Sequence, residues 1–239
     1  MNRKYSHIFF DLDNTLWDFE TNSHNAMQVS FEYFKLSQKI DFKYFYEVYV
    51  RHNHQLWEQY RKNVIAKKEL TQLRFQLTFD ELNISGIDAG LMNTHYLDVM
   101  PEQKILIDGA IELLQYLKKR QYEIAIITNG FKEVQHKKIE TSGIKPFITN
   151  VYISEELKIT KPDRKIFEHA IKSSNARKTQ SLMIGDDWEV DILGAVGFGI
   201  DAVYLKMDLN EGLIKLQSPI QNRCNIYQTG DLKTLNCLL

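Results

Sequence analysis

The chain has 239 residues, 44% hydrophobic and 26% charged, enough apolar material for one large domain or a core domain plus a smaller one. A formal net charge of −1 supplies no basic field to gather nucleic acid or an anionic membrane surface. No apolar run approaches the roughly 20 residues of a membrane span, and no signal-peptide core precedes the first strand, so a cytoplasmic protein is expected.

Ile8 to Phe10 is a brief, aromatic-rich apolar run cut off by carboxylates, which predicts a buried strand. Asp11 and Asp13 follow at a spacing that points both to one side of an extended chain. At about 4 Å and an effective dielectric of about 20, two such charges repel by about 4 kcal/mol, so the pair needs a cation or a proton. The same residues also suit a turn and a helix cap, a routine use of Asp.

From Trp17 to Met100 the periodicity is helical. Thr21 or Asn22 is expected to cap a first helix with Ala26, Val29, Tyr33 and Leu36 on its buried face. A second helix carries Phe42, Phe45, Tyr46, Tyr49, Leu56, Trp57 and Tyr60, with Lys43, Glu47, Arg51 and Glu58 opposite. Leu70, Leu73, Phe75, Leu77 and Phe79 mark a third, and Asp88 to Val99 a fourth. This aromatic density is expected to form a bundle core rather than a base-stacking platform. His52 and His54, two apart on a helix, do not share a face and are not expected to pair on a metal.

After Pro101, strand and helix alternate. Helices are expected from Ala110, up to Ser142, through Ile166 to Ile171, and through Asp191 to Ala195. Strands are expected at Tyr122–Ile127, Val151–Ile153, Ser181–Ile184 and Ala202–Leu205. Asn225 to Gln228 reads as an edge strand, with a helix from Asp231. Cys224 and Cys237 lie outside any CxxC pair and read as reduced thiols. Continuous apolar strands between helices predict an α/β fold with a parallel sheet covered on both faces. The helical block, residues 17–100, is then an insertion in a core made of 1–16 and 101–239.

Ligands of such sheets bind outside the carboxyl ends of the strands. Asp11 and Asp13, then Thr128, Asn129 and Gly130, then Asp186 and Asp187 each follow a predicted strand. Converging carboxylates form an all-oxygen site suited to Mg²⁺, and no Cys or His at ligand spacing favours zinc. Thr128 and the amides of Asn129 and Gly130 can donate to phosphate oxygens, and Lys161 adds a point charge. A carboxylate can then serve as nucleophile and form an aspartyl-phosphate.

Asp11-Leu12-Asp13-Asn14-Thr15-Leu16, Ile127-Thr128-Asn129-Gly130, Lys161-Pro162 and Gly185-Asp186-Asp187 with Asp191 resemble the four motifs of the haloacid dehalogenase-like hydrolase superfamily. The resemblance implies a Rossmann-like, doubly wound core with an inserted α-helical cap. It implies that Asp11 is the nucleophile and Asp13 the general acid and then base. Thr128 and Lys161 would hold the phosphoryl group and Asp191 would position Lys161. Mg²⁺ would be held by Asp11, the backbone carbonyl of Asp13 and Asp186, with Asp187 acting through water. Asn14 departs mildly from the Asp or Gly common there. The texture of the first motif and cap resembles the pyrimidine 5'-nucleotidase branch, which implies UMP, dUMP or dTMP as substrate. Sugar-phosphate phosphatases, phosphomutases and a phosphoaccepting signalling module are the alternatives. The expected partner is a small phosphorylated metabolite, with no nucleic acid and no membrane, for a monomer or homodimer.

Overall fold

The computed structural model describes residues 3–207, 209, 212–220 and 224–239. Among these, the chain divides into two compact units, one of 1–19 with 104–239 and one of 20–103. No helix of the described residues is long and apolar enough to cross a membrane.

The first unit is built on a seven-stranded sheet: β1 (His7–Phe10), β2 (Glu123–Thr128), β3 (Asn150–Ile153), β4 (Ser181–Gly185), β5 (Asp201–Leu205), β6 (Ile214–Leu216) and β7 (Ile226–Thr229). Its order is β3-β2-β1-β4-β5-β7-β6, parallel except where β6 runs against β7. The central strands are buried along nearly their whole length, as continuous apolar runs in a two-faced sheet must be. Chain order reverses direction at β1, which has β2 on one side and β4 on the other. That is the switch point where open α/β sheets leave a crevice at the strands' carboxyl ends. Phe10 pairs with Ile126 and with Ile184, so Asp11, Thr128 and Asp186 all emerge at that end.

The second unit is a helical bundle of α1 (Phe19–Tyr33, its first residue still in the sheet unit), α2 (Phe42–Arg61), α3 (Lys67–Glu81) and α4 (Ala89–Val99). Asp41 and Asp88 cap α2 and α4 by accepting from the amides of Tyr44 and Leu91. Phe45, Tyr49, Phe75, Phe79 and Tyr96 fill its core, with Tyr49 and Phe75 stacked at 5.0 Å. Arg74 is buried among them, its guanidinium donating twice to the Asn93 side-chain Oδ1 at 2.9 and 2.6 Å.

Two expectations for α1 fail. The helix begins at Phe19, before Thr21 and Asn22, and Val29 and Tyr33 are exposed. Its buried face is instead Ser23, Ala26, Met27, Ser30 and Phe31. The two serines tolerate burial because their hydroxyls bond Tyr96 at 2.8 Å and His95 at 2.9 Å.

In the sheet unit, α5 (Ala110–Lys119), α6 (Lys132–Thr141), α7 (Ser154–Leu157), α8 (Arg164–Ser173) and α9 (Gly194–Phe198) link the strands. The helix expected through Asp191 is broken: Trp188–Leu193 is a π-helical turn, and α9 follows it. The strand at Asn225–Gln228 is not an edge. β7 lies inside β6, a three-residue strand whose short and largely exposed sequence gave no strand signal. The helix expected from Asp231 is present as a 3₁₀ helix, Leu232–Cys237, capped by Asp231. Neither Cys224 nor Cys237 forms a disulfide among the described residues.

Candidate active site

Asp11 leaves β1 with its amide bonded to the Ile184 carbonyl at 2.9 Å, which carries it onto the crevice beside β4. The chain then folds into a tight loop: the amides of Leu16 and Trp17 bond the Leu12 carbonyl, and Asn14 takes φ +58°. Asn tolerates that left-handed conformation better than most residues, which accounts for its presence at this position. Thr15, fully buried, donates to Asp186 Oδ1 at 3.1 Å and ties the loop to the end of β4.

Lys161 is the centre of charge. Its Nζ lies 2.5 Å from Asp11 Oδ1 and 2.6 Å from Asp191 Oδ1, with all three side chains nearly sealed from solvent. Its backbone is clamped by the Asn129 side chain, which accepts from Lys161 N at 2.8 Å and donates to Lys161 O at 3.0 Å. Asn129 therefore uses its carboxamide to hold the lysine segment. Burial opposes the ammonium charge, but the carboxylates of Asp11 and Asp191 outweigh it and raise its pKa. Asp191 comes from the π-helical turn and packs directly on Gly185. A Cβ there would fall 2.6 Å from the Asp191 Cβ, so glycine is required.

Carboxylate oxygens of Asp11, Asp186 and Asp191 all lie within 4.8 Å of one another. Burial, opposed by Lys161, raises the pKa of Asp11 well above and that of Asp191 above the usual range. Burial and the neighbouring Asp191 push Asp186 up to about 7. One ammonium does not neutralise three carboxylates, so the folded cluster holds a proton or a cation. An all-oxygen, net-negative donor set, buried at Asp11 and Asp191 and partly open at Asp186, fits Mg²⁺. Asp187 lies apart from this set: its Oδ1 caps the π-helical turn, accepting from the amides of Glu189 at 3.1 Å and Val190 at 3.0 Å.

Asp13 also stands apart from the acidic cluster and has its own partners. Lys138 Nζ donates to Oδ1 at 2.6 Å and Gln135 Nε2 to Oδ2 at 2.9 Å. Gln135 Nε2 also donates to Thr128 Oγ1 at 2.6 Å, and the Gly130 amide donates to the same oxygen at 3.3 Å. Sequence reasoning assigned neither Gln135 nor Lys138. The counter-charges it required for the two aspartates come from different lysines, Lys161 for Asp11 and Lys138 for Asp13. Burial lowers the pKa of Lys138 and the adjoining Asp13 opposes that shift.

A consequence for pH follows from Asp186. The folded chain keeps its proton from the ordinary 3.8 up to about 7, where the unfolded chain has lost it. Folded protein binds more protons in that window, so metal-free stability falls as pH rises through it. A divalent cation needs the ionised form, so its stabilisation grows over the same range. We expect the rise in Tm on adding Mg²⁺ to be several-fold larger at about pH 8 than at about pH 5. It should be much smaller in Asp186→Asn. An increment that does not vary with pH contradicts this.

Comparison with known proteins agrees with this architecture. The family model described as haloacid dehalogenase-like hydrolase matches residues 5–199. Pyrimidine 5'-nucleotidase YjjG of Escherichia coli strain K12 is 32% identical over 204 residues, covering 84% of this chain and 86% of the relative. Pyrimidine 5'-nucleotidase PynA of Streptococcus pneumoniae is 30% identical over 235 residues, covering 98% and 95%. Among solved structures, the putative HAD-hydrolase YfnB of Bacillus subtilis, bound to magnesium, superposes with a TM-score of 0.82 at 25% identity over 99% of both chains. With the family model spanning the sheet strands β1 to β4 and all four motifs, this chain belongs to the haloacid dehalogenase-like hydrolase family.

Proposed function

We propose that this chain is a Mg²⁺-dependent phosphomonoesterase that passes the phosphoryl group through Asp11 and acts on pyrimidine nucleoside 5'-monophosphates. The carrying observation is the separation of two carboxylates at one strand end. Asp11 is bound to Lys161 within an acidic cluster, and Asp13 is held outside it by Lys138 and Gln135. Two carboxylates in different surroundings suit two different roles.

Asp11 is the nucleophile. Its free carboxylate oxygen bonds to phosphorus as the bond from phosphorus to the ester oxygen breaks, and Asp13 gives that oxygen its proton. Water then attacks phosphorus and leaves its proton on Asp13, and the Asp11–phosphorus bond breaks to release inorganic phosphate. Lys161 and the Thr128 hydroxyl neutralise and orient the transferring oxygens, with the amides of Asn129 and Gly130 beside them. Asp191 and Asn129 keep Lys161 in place. The residues that would hold Mg²⁺ are Asp11, the Asp13 carbonyl and Asp186, with Asp187 through water. Bound there, the ion offsets negative charge on phosphate and on the acidic cluster. In this reading the helical unit is the cap and selects the leaving group.

The nucleotide preference is supported by YjjG and PynA, both named pyrimidine 5'-nucleotidases. Phosphate release should be measured across UMP, dUMP, dTMP, sugar phosphates and phosphoserine, with and without Mg²⁺. Metal-dependent turnover is expected, fastest on pyrimidine nucleotides by about 10-fold or more, as a pocket contact of 1–3 kcal/mol allows. Equal or faster turnover of sugar phosphates would remove the nucleotidase assignment and leave the chemistry. A stable phosphoprotein without turnover would favour the signalling module.

A further inference from the structure

Helix α6 is polar except at Val134 and Ile139, yet only part of its polar surface meets solvent. Lys132, Glu133, His136 and Lys137 are exposed, and Gln135 and Lys138 are sealed off, at 0% and 1% exposure. A buried lysine needs a partner, and a buried carboxamide needs hydrogen bonds. Three residues apart, the two share one helical face and both end on Asp13.

The arrangement around them is specific. Lys138 Nζ sits 4.2 Å over the Trp17 ring and 5.3 Å over that of Phe19, so aromatic faces restrict the ammonium where Asp13 does not bind it. Gln135 packs against Gly130, where a Cβ would fall 2.7 Å from its Cγ. The glycine in the second motif thus admits this side chain. Gln135 Nε2 spans Asp13 Oδ2 and Thr128 Oγ1, joining the acid to the phosphate-binding hydroxyl. With each Asp13 oxygen bound to a different donor, rotation about its side-chain bonds is blocked.

We propose that Gln135 and Lys138 are positioning residues that aim the Asp13 carboxyl group at the leaving oxygen. This rests on the reading of Asp11 as nucleophile and Asp13 as acid. When the ester bond breaks, the leaving oxygen keeps the electron pair and an alkoxide must take the Asp13 proton. A 4-nitrophenolate departs without one. Misaiming Asp13 therefore harms alkyl esters in the step that kcat/KM reports, and leaves the aryl ester nearly untouched. A residue needed only for the fold would lower both.

The test uses the full chain with Mg²⁺ and measures kcat/KM on UMP, glycerol phosphate and 4-nitrophenyl phosphate. Lys138→Met is expected to lose about 100-fold on the alkyl esters and less than about 5-fold on the aryl ester. Gln135→Leu should show the same split at smaller size, and it decides the matter should Lys138→Met fail to fold. Equal losses on both ester classes, or no loss, overturn the positioning role. If wild type is inactive on every ester, or Asp11→Asn stays active, the underlying mechanism fails instead. An active wild type and dead Asp11→Asn with no leaving-group split defeat this inference alone.

Discussion

Asp11→Asn is expected to lower phosphate release by about 10⁴-fold or more, the size of loss seen when a nucleophile is removed. The carboxamide is isosteric and its oxygen still accepts from Lys161, so the surroundings of β1 should persist. What disappears is the second, nucleophilic oxygen and one negative charge. In the metal-free chain that charge is unfavourable, because burial and the nearby Asp191 and Asp186 raise the pKa of Asp11 against the pull of Lys161. The variant should therefore melt no lower than wild type at neutral pH without metal. An inactive enzyme of undiminished stability separates a chemical role for Asp11 from a structural one. Residual turnover within about 10-fold of wild type would contradict the assignment.

Lys161→Met is expected to damage both function and fold. Removing a single charged donor to the transferring group costs on the order of 10²–10³-fold in kcat. The stability cost has a separate origin. Lys161 is the ammonium bound to both Asp11 and Asp191, and without it two buried carboxylates face each other unneutralised. Breaking a buried ion pair from one side costs about 3–5 kcal/mol. The carboxyl groups can relieve that cost by taking up protons, so their pKa values rise further and stability falls as pH rises. Chemical denaturation at about pH 5 and about pH 8 should show the larger deficit at the higher pH. A deficit independent of pH would mean that lost packing, not charge, explains it.

The architecture of the sheet unit was legible because buried parallel strands need nearly unbroken apolar runs, and Ile8–Phe10, Ile124–Ile127 and Leu182–Ile184 supply them. Asp11, Thr128 and Asp186 were legible because each stands at the end of such a run; Lys161 and Asp191 follow no strand and were legible only through their place in the motif set. Gln135 and Lys138 were not, because they sit in a helix whose sequence, Lys-Glu-Val-Gln-His-Lys-Lys-Ile, resembles a solvated face. A signal existed nevertheless: Lys138 lies one turn beyond Val134, and Gln135 one turn before Ile139, on the buried stripe. Burial of Ser23 and Ser30 in α1 escaped for a related reason. Their hydroxyl partners, Tyr96 and His95, lie more than sixty residues away in sequence. Asp187 was read for its approach to a metal; its Oδ1 also caps the π-helical turn, which a carboxylate following a strand does readily.

The central claim is that phosphate passes through Asp11, and trapping the intermediate tests it most directly. Enzyme turning over UMP or 4-nitrophenyl phosphate with Mg²⁺ would be acid-quenched and digested, and the phosphorylated peptide identified by mass. The predicted result is a hydroxylamine-sensitive acyl phosphate on Asp11, formed as fast as turnover and absent from Asp11→Asn. Turnover with no phosphorylated peptide, or with the label on another residue, would contradict the account.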